Sequence, residues 1–178
     1  MENNVIKITT PLDRDQLKEL NAGDRVALSG KILVFRDQVH RNLCEMIVSG
    51  ESLPFDIDGA AVYYCGPTPA RHGMPVGSAG PTTSSRMDSF TGPLLEKGLA
   101  MTIGKGNRSP EVTELLAKHD AVYMLAIGGT GALLAKHITS SEVIAFPELG
   151  PEAARIFTVK DFPLIVGIDT HGKSALKG

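Results

Sequence analysis

The stretch that decides the fold is Leu99-Ala100-Met101-Thr102-Ile103-Gly104-Lys105-Gly106-Asn107-Arg108-Ser109-Pro110-Glu111, with its continuation to Ile127. Residues 99–103 are largely apolar and stop at a glycine, which predicts a strand. Ser109-Pro110-Glu111 then carries three helix-start signals in a row: a capping hydroxyl, a proline where no N–H is needed, and an acid in the electropositive first turn. That helix runs to about Lys118, and another apolar strand follows over 121–127.

Alternation continues on both sides. Toward the N-terminus, a strand is expected over 5–8, a turn at Pro11 and a short helix over 12–20, stopped by Asn21-Ala22-Gly23-Asp24. Residues 25–35 read as one strand bent at Gly30 or as a hairpin of two. Asp37 is placed to cap a helix over 38–48, with Val39, Leu43, Met46 and Ile47 on one face. A strand over 60–65 breaks at Gly66-Pro67-Thr68-Pro69, and a long Gly/Pro/Ser-rich loop occupies 66–85, a length that marks function or disorder. Residues 86–97 are helical with a kink expected at Gly92-Pro93. Beyond Gly128-Gly129-Thr130-Gly131, the pattern predicts a helix over 132–137, strands over 143–146, 157–159 and 164–168, and a tight turn at 169–173. Such alternation implies an α/β layered domain.

Length and composition set further bounds. With 178 residues the chain can bury one sizeable core, so 1–178 is expected to be a single domain. Its 42% hydrophobic and 21% charged residues are those of an ordinary globular protein, and no apolar run nears the roughly 20 residues of a membrane helix. No membrane partner is expected. A net charge of −2 with scattered basic residues leaves no broad footprint for nucleic acid. The first ten residues lack the continuous apolar core of a signal peptide, which points to the cytoplasm. Cys44 and Cys65 are too few for a disulfide framework or a four-thiolate metal site, and both read as buried, reduced, small hydrophobes.

Candidate chemistry concentrates in Gly80-Pro81-Thr82-Thr83-Ser84-Ser85-Arg86-Met87-Asp88. Here a loop becomes a helix, so hydroxyls and free N–H groups converge where the dipole favours an anion, and Arg86 adds a fork suited to carboxylate or phosphate. The same residues also suit a plain helix cap beside a surface arginine. Lys105, flanked by Gly104 and Gly106 at a strand end, is the second cation and Arg108 the third, although a lysine there can equally be a solvated one. The Walker A order and the full Gly-x-Gly-x-x-Gly spacing are both absent, so nucleotide binding is not expected. Arg36-Asp37-Gln38-Val39-His40 places Arg36 and His40 one helical turn apart, yet a lone histidine reads first as a surface one. His72 lies in the long loop, while His119, His137 and His171 sit near helix ends or a turn and receive no role.

Taken together, Gly80-Pro81-Thr82-Thr83-x-x-Arg86-Met87-Asp88, Lys105-Gly106-Asn107-Arg108-Ser109, Ile127-Gly128-Gly129, Phe146-Pro147-Glu148-Leu149-Gly150 and Asp161-Phe162-Pro163 resemble the β subunit of class I, iron–sulfur-dependent fumarate hydratases and L(+)-tartrate dehydratases. The likeness runs over about 25–172. It implies a swivelling β/β/α domain like the mobile domain of aconitase, present in that family as a separate subunit or as the C-terminal half of a longer chain. The length here suits the separate subunit.

The resemblance further implies a [4Fe–4S] cluster held by three cysteines of a partner α subunit, with none of its ligands in this chain. One open iron would act as a Lewis acid on the departing hydroxyl. The implied reaction is reversible hydration of fumarate to L-malate, a step of the tricarboxylic acid cycle, with dehydration of L-tartrate to oxaloacetate as the alternative. By motif position Thr82 is the base, with Arg86 and Lys105 stabilising its alkoxide. Arg36, Arg86 and Lys105, with Thr83, would hold the two carboxylates of the substrate, and Asp37, His40 and Arg108 would support them. The implied assembly is a hetero-oligomer with the α subunit, a homodimer being the alternative for the isolated chain. Two readings from other classes stand beside it: a non-catalytic module binding a small anion, and an assembly subunit using its glycine-rich loop as an interface.

Overall fold

The computed structural model describes residues 4–127 and 131–176. Strand β1 (Val5–Thr9) leads through the short helix α1 (Arg14–Lys18) into β2 (Arg25–Val34), followed by α2 (Asp37–Val48) and β3 (Ala61–Tyr63). A 3-10 turn (Ser84–Met87) runs straight into α3 (Asp88–Glu96), and then come β4 (Met101–Gly104), α4 (Pro110–Lys118), β5 (Val122–Ala126) and α5 (Gly131–Ala135). Next are β6 (Ile138–Ala145), a second 3-10 turn (Pro147–Glu152) and β7 (Ala154–Ile168). The strand, helix and strand expected over 99–127 are present as β4, α4 and β5, with β4 and β5 parallel. Ser109 caps α4 by accepting from the Val112 N–H at 3.2 Å.

Strands β1 to β5 pair in parallel in chain order, and β7 runs antiparallel to β5. β7 also pairs antiparallel with β2 along nearly the whole of β2, from Arg25↔Ile165 to Val34↔Arg155. The hydrogen-bonded order β2-β3-β4-β5-β7 therefore closes on itself, while β1 and β6 remain at the margins. The result is a mixed α/β architecture.

Alternation along the strands sorts the apolar side chains into two cores. Tyr63, Met101, Ile103, Val122, Met124, Phe157 and Phe162 belong to one, which Leu17 of α1 and Leu134 of α5 join. Val62, Tyr64 and Tyr123 belong to the other, where Val39 and Leu43 of α2, Leu94 and Leu95 of α3, and Val112 and Leu116 of α4 cover the opposite face. None of the described helices is long and apolar enough to cross a membrane.

Residues 25–34 form one strand, one of the two arrangements expected, with the β2–β7 pairing slipping between Leu28 and Gly30. Several other local expectations are corrected. Asp37 does not cap α2: Arg36 holds the N-cap position with no side-chain cap, and Asp37 is the first helical residue. The irregularity in the next helix lies in the 3-10 turn at Ser84–Met87, while Pro93 sits inside α3. The two strands expected over 157–168 are one, because Asp161, at φ 48°, turns the chain without ending the pairing and Pro163 still aligns with Ala27. Cys65 is buried, but Cys44 is only half-buried. Gly128, Gly129 and Thr130 lie outside the described residues.

His40 is the largest departure. It is fully buried, 0% exposed, among the rings of Phe35, Tyr64 and Phe90. Its Nδ1 lies 2.8 Å from the Arg36 carbonyl, to which it donates, and its buried Nε2 has no partner among the described residues. A charged imidazole is unfavourable there. Burial pushes its pKa down to about 4, against a smaller upward pull from the hydrogen bond to Arg36.

Two predictions follow from this packing. In unfolded chain His40 takes up a proton below about pH 6.5, whereas in folded chain it does so only near 4, so the unfolded state binds more protons in between. Stability from this residue is therefore intact above pH 6.5 and falls as pH drops, by about 3 kcal/mol at pH 4. Urea denaturation across pH 4 to 7 should show a shallower slope for His40→Phe than for wild type, and equal slopes would refute the assignment. At Gly104 an added Cβ would collide with the Ser84 hydroxyl and lie 3.0 Å from the Tyr64 ring and 3.2 Å from the Thr82 carbonyl. Gly104→Ala is expected to lose about 1–3 kcal/mol in the same assay.

Candidate functional site

Three parallel strands end side by side, in the register Val34↔Tyr63 and Tyr63↔Ile103. Carboxyl ends of parallel strands are where α/β sheets bind ligands. Arg36 follows β2 by two residues, and Lys105 immediately follows β4. The last direct bond between the ends of β3 and β4 runs from the Tyr64 N–H to the Ile103 carbonyl at 2.9 Å. Beyond it the two strands part, and the segment from Thr82 to Ser84 fills the gap. The Thr82 N–H donates to the Tyr64 carbonyl at 2.7 Å, and the Thr82 carbonyl accepts from the Lys105 N–H at 3.3 Å. The Ser84 N–H then donates to the Lys105 carbonyl at 2.9 Å.

Side chains fasten this wedge. Ser84 is fully buried, and its Oγ lies 2.9 Å from the Tyr123 hydroxyl, which also reaches the Gly106 carbonyl at 2.8 Å. Burial pushes the Tyr123 phenol up to about 12, so it remains a neutral donor. Upstream, the Tyr63 hydroxyl donates to the Ala79 carbonyl. The loop before it is closed by Thr68 N–H to the Ser78 carbonyl at 3.0 Å and Ser78 N–H to Thr68 Oγ1 at 2.7 Å. Its exposed residues Arg71 and His72 do not line the hollow described next.

That hollow has a volume of about 320 Å³ and is walled by Arg36, Thr82, Thr83, Arg86 and Lys105, together with Gly66, Gly80 and Pro81. Five of the eight candidate residues thus meet in one place. The Thr82 side chain is nearly buried, and its hydroxyl has no hydrogen-bond partner among the described residues. Asp37, outside the wall, holds Arg86 side-on, with Nε to Oδ1 at 3.1 Å and an Nη to Oδ2 at 2.6 Å. Glu152 accepts from Arg36 Nε at 3.0 Å. Lys105 forms no ion pair among the described residues. Gly66 passes so close that a Cβ there would lie 2.9 Å from Arg36 Cζ.

Arg108 and His40 stand apart from the hollow. The Arg108 guanidinium is fully buried, pairs with Asp88 at 2.6 Å, donates to Thr102 at 3.1 Å and Thr91 at 2.8 Å, and lies over the Tyr64 and Tyr123 rings. Burial works against its charge, but Tyr64 and Asp88 outweigh it and raise its pKa. It ties α3 to β4 rather than facing a ligand. His40 holds the Arg36 carbonyl from within the core.

The arrangement has the chemistry of an anion site. Two guanidiniums, an ammonium and two threonine hydroxyls offer directional donors and positive charge to carboxylates. A separate hollow of about 370 Å³ near Thr10 and Gly30 has Asp56 and Asp58 against Lys31, the wrong balance for an anion. Among the described residues no three His, Cys, Asp or Glu side chains are grouped to hold a metal ion. Burial raises both thiols, Cys65 to about 12 with Arg36 pulling the other way. Glu152 escaped sequence reasoning because the recognisable run Phe146-Pro147-Glu148-Leu149-Gly150 stops two residues before it.

The chain is 40% identical over 171 residues to fumarate hydratase 2 of Leishmania major, covering 94% of this chain and 30% of that protein. It is 42% identical over 159 residues to the anaerobic class I fumarate hydratase of Escherichia coli K12, covering 88% and 29% respectively. The chain therefore spans about 30% of the length of these fumarate hydratases. Against the L(+)-tartrate dehydratase subunit beta of Escherichia coli K12 it is 35% identical over 174 residues, covering 95% of this chain and 85% of that subunit. With the family described as Fumarase C-terminus matching throughout residues 1–178, this chain, with its cationic hollow at the strand ends, belongs to that family.

Proposed function

We propose that this chain is the β subunit of a two-subunit class I hydro-lyase that hydrates fumarate reversibly to L-malate. The observation that carries the reading is the convergence of Arg36, Arg86, Lys105, Thr82 and Thr83 on one hollow. A C4 dicarboxylate needs two anion clamps, and cations from three separate loops supply them. In this reading 1–178 is one swivelling β/β/α domain of the aconitase mobile-domain type, working in the cytoplasm against a cluster-bearing α subunit. A [4Fe–4S] cluster does not fit the described residues of this chain, whose buried or half-buried thiols are held protonated. It belongs to the α subunit in this proposal.

The steps assigned to this chain are binding and proton transfer at carbon. Arg36, Arg86 and Lys105 grip the carboxylates, with Thr83 as a further donor. Thr82, as alkoxide, removes a proton from the carbon adjacent to the hydroxyl-bearing carbon of malate, the C–H electron pair forming the double bond as hydroxide leaves, and as alcohol returns that proton during hydration. A threonine hydroxyl is a poor base unaided. The positive potential of Arg86 and Lys105 in the same hollow favours its ionised form, and the absence of an internal hydrogen-bond partner leaves its oxygen available. Asp37 keeps Arg86 oriented, His40 holds the backbone of Arg36, and Arg108 anchors the helix behind.

Dehydration of L-tartrate is the second reading. It is favoured by coverage, since the chain spans 85% of the tartrate dehydratase subunit beta but only about 30% of the fumarate hydratases. The two substrates share the carboxylate spacing that the cations recognise.

Two measurements test the proposal. Anaerobic fumarate hydration and tartrate dehydration, assayed with this chain alone and mixed with its cluster-bearing partner, should appear only in the mixture. Lack of both activities with an intact cluster would leave a non-catalytic anion-binding module instead. In the active mixture, Thr82→Ala should lower kcat by at least about 10²-fold while assembly by size exclusion is unchanged. Retained turnover would remove Thr82 from the mechanism.

A further inference from the structure

The run Phe146-Pro147-Glu148-Leu149-Gly150 helps to identify the family, yet it contributes no side chain to the walls of the hollow. Its geometry points to what it does. Phe146, at φ 54°, turns the chain out of β6, and the 3-10 turn then returns it to β7 through Gly150, at φ 57°. The Leu149 N–H donates to the Phe146 carbonyl and the Ala153 N–H to the Gly150 carbonyl, both at 3.0 Å. Phe146 and Leu149 are partly buried against the helix-side core, so the turn is seated and not loose. At its end stands Glu152, whose carboxylate reaches Arg36 Nε at 3.0 Å.

The details of that contact matter. Glu152 takes only Nε, and the two terminal amino groups of Arg36 make no hydrogen bond among the described residues. Gly66 packs against the guanidinium, where a Cβ would lie 2.9 Å from Cζ and 3.0 Å from Nε and one terminal amino group. The plane of Arg36 is thus held from one side by a carboxylate and bounded on another by bare backbone, while Arg36 lines the hollow and its terminal amino groups keep their hydrogen-bonding capacity. Arg86 is likewise held by a carboxylate on a different element, although Asp37 takes both its Nε and one terminal amino group.

We propose that Glu152 is a positioning residue for Arg36, and that the turn from Pro147 to Glu152 serves to hold Arg36 in the orientation that grips one substrate carboxylate. The identity of that carboxylate's owner rests on the function proposed above; the orienting role of Glu152 does not. Glu152 acts through Arg36 and touches no reacting atom.

The test uses the full chain and the assembled enzyme. In the full chain, nitrogen-15 NMR should show slow hydrogen exchange at Arg36 Nε in wild type and Glu152→Gln, whose amide oxygen still accepts, and fast exchange in Glu152→Ala. In the assembled enzyme, Glu152→Ala should raise the KM for the dicarboxylate about tenfold, more than it lowers kcat, and Glu152→Gln should recover most of that loss. Glu148→Ala removes the same charge from the same turn, at an exposed position, and should keep the wild-type KM. Unchanged exchange at Arg36 Nε in Glu152→Ala, a KM that stays level or falls, or an equal effect from Glu148→Ala would each overturn the proposal. Should the wild-type assembly turn over neither substrate, the proposed function fails, and the exchange comparison alone decides the role of Glu152.

Discussion

The site depends on one local constraint: the backbone from Thr82 to Ser84 is hydrogen-bonded between the parted ends of β3 and β4. Those bonds run to the Tyr64 carbonyl, the Lys105 N–H and the Lys105 carbonyl. Because Thr82 and Lys105 are bonded to each other through the main chain, their side chains enter the hollow from adjoining backbone although 23 positions separate them in sequence. Gly104 makes this approach possible, since any side chain there would occupy the space of the Ser84 hydroxyl. The packing beneath Ser84, with Tyr123 bridging it to Gly106, fixes the loop from below. Loops so fastened lose little further conformational freedom when a ligand arrives.

Electrostatics sets the second constraint. Arg36, Arg86 and Lys105 share one hollow, and their like charges repel one another. Glu152 and Asp37 relieve this by pairing with the two arginines. They do so from outside the hollow's wall, which leaves Lys105 as the cation there with no ion pair among the described residues. Arg108, close in sequence, has the opposite fate: its charge is spent within the protein on Asp88, while the Asp88 carboxylate also accepts from the Ser109 N–H at 2.8 Å. One carboxylate therefore joins the start of α3 to the start of α4, behind the turn that carries Arg86.

Much of this was legible in the sequence, and what was not has identifiable causes. Ser109-Pro110-Glu111 announced α4 because capping is local chemistry, complete within four residues. The cations and hydroxyls of the hollow were legible because each sits in a glycine-rich turn or at a strand end. His40 reads as a surface residue in the sequence because its burial depends on Phe35, Tyr64 and Phe90, whose rings surround it only in the folded chain. Asp37 looked like a cap because its position before an apolar helix is right for one; the competing attraction of Arg86, 49 residues away, cannot be seen locally. β7 read as two strands because Asp161 and Pro163 are poor strand residues, and the pairing with β2 that carries the chain past them is long-range. The closure of β2 onto β7 had no signal in any window of the sequence.

The three ion pairs around the site differ in what they can contribute. Arg108 and Asp88 are 0% and 15% exposed, and removing one partner of so buried a pair costs about 3–5 kcal/mol, since the other charge is left without compensation. Arg36 and Glu152, at 29% and 37%, and Arg86 and Asp37, at 52% and 29%, are screened by water, and such pairs contribute about 0–1 kcal/mol. Stability therefore explains the first pair and not the other two. Both exposed pairs hold a guanidinium that lines the hollow, and both take carboxylates from outside its wall. Orientation is an effect to which such exposed pairs can still contribute: a misplaced donor in a binding site is felt in ligand binding well before it is felt in the free energy of folding.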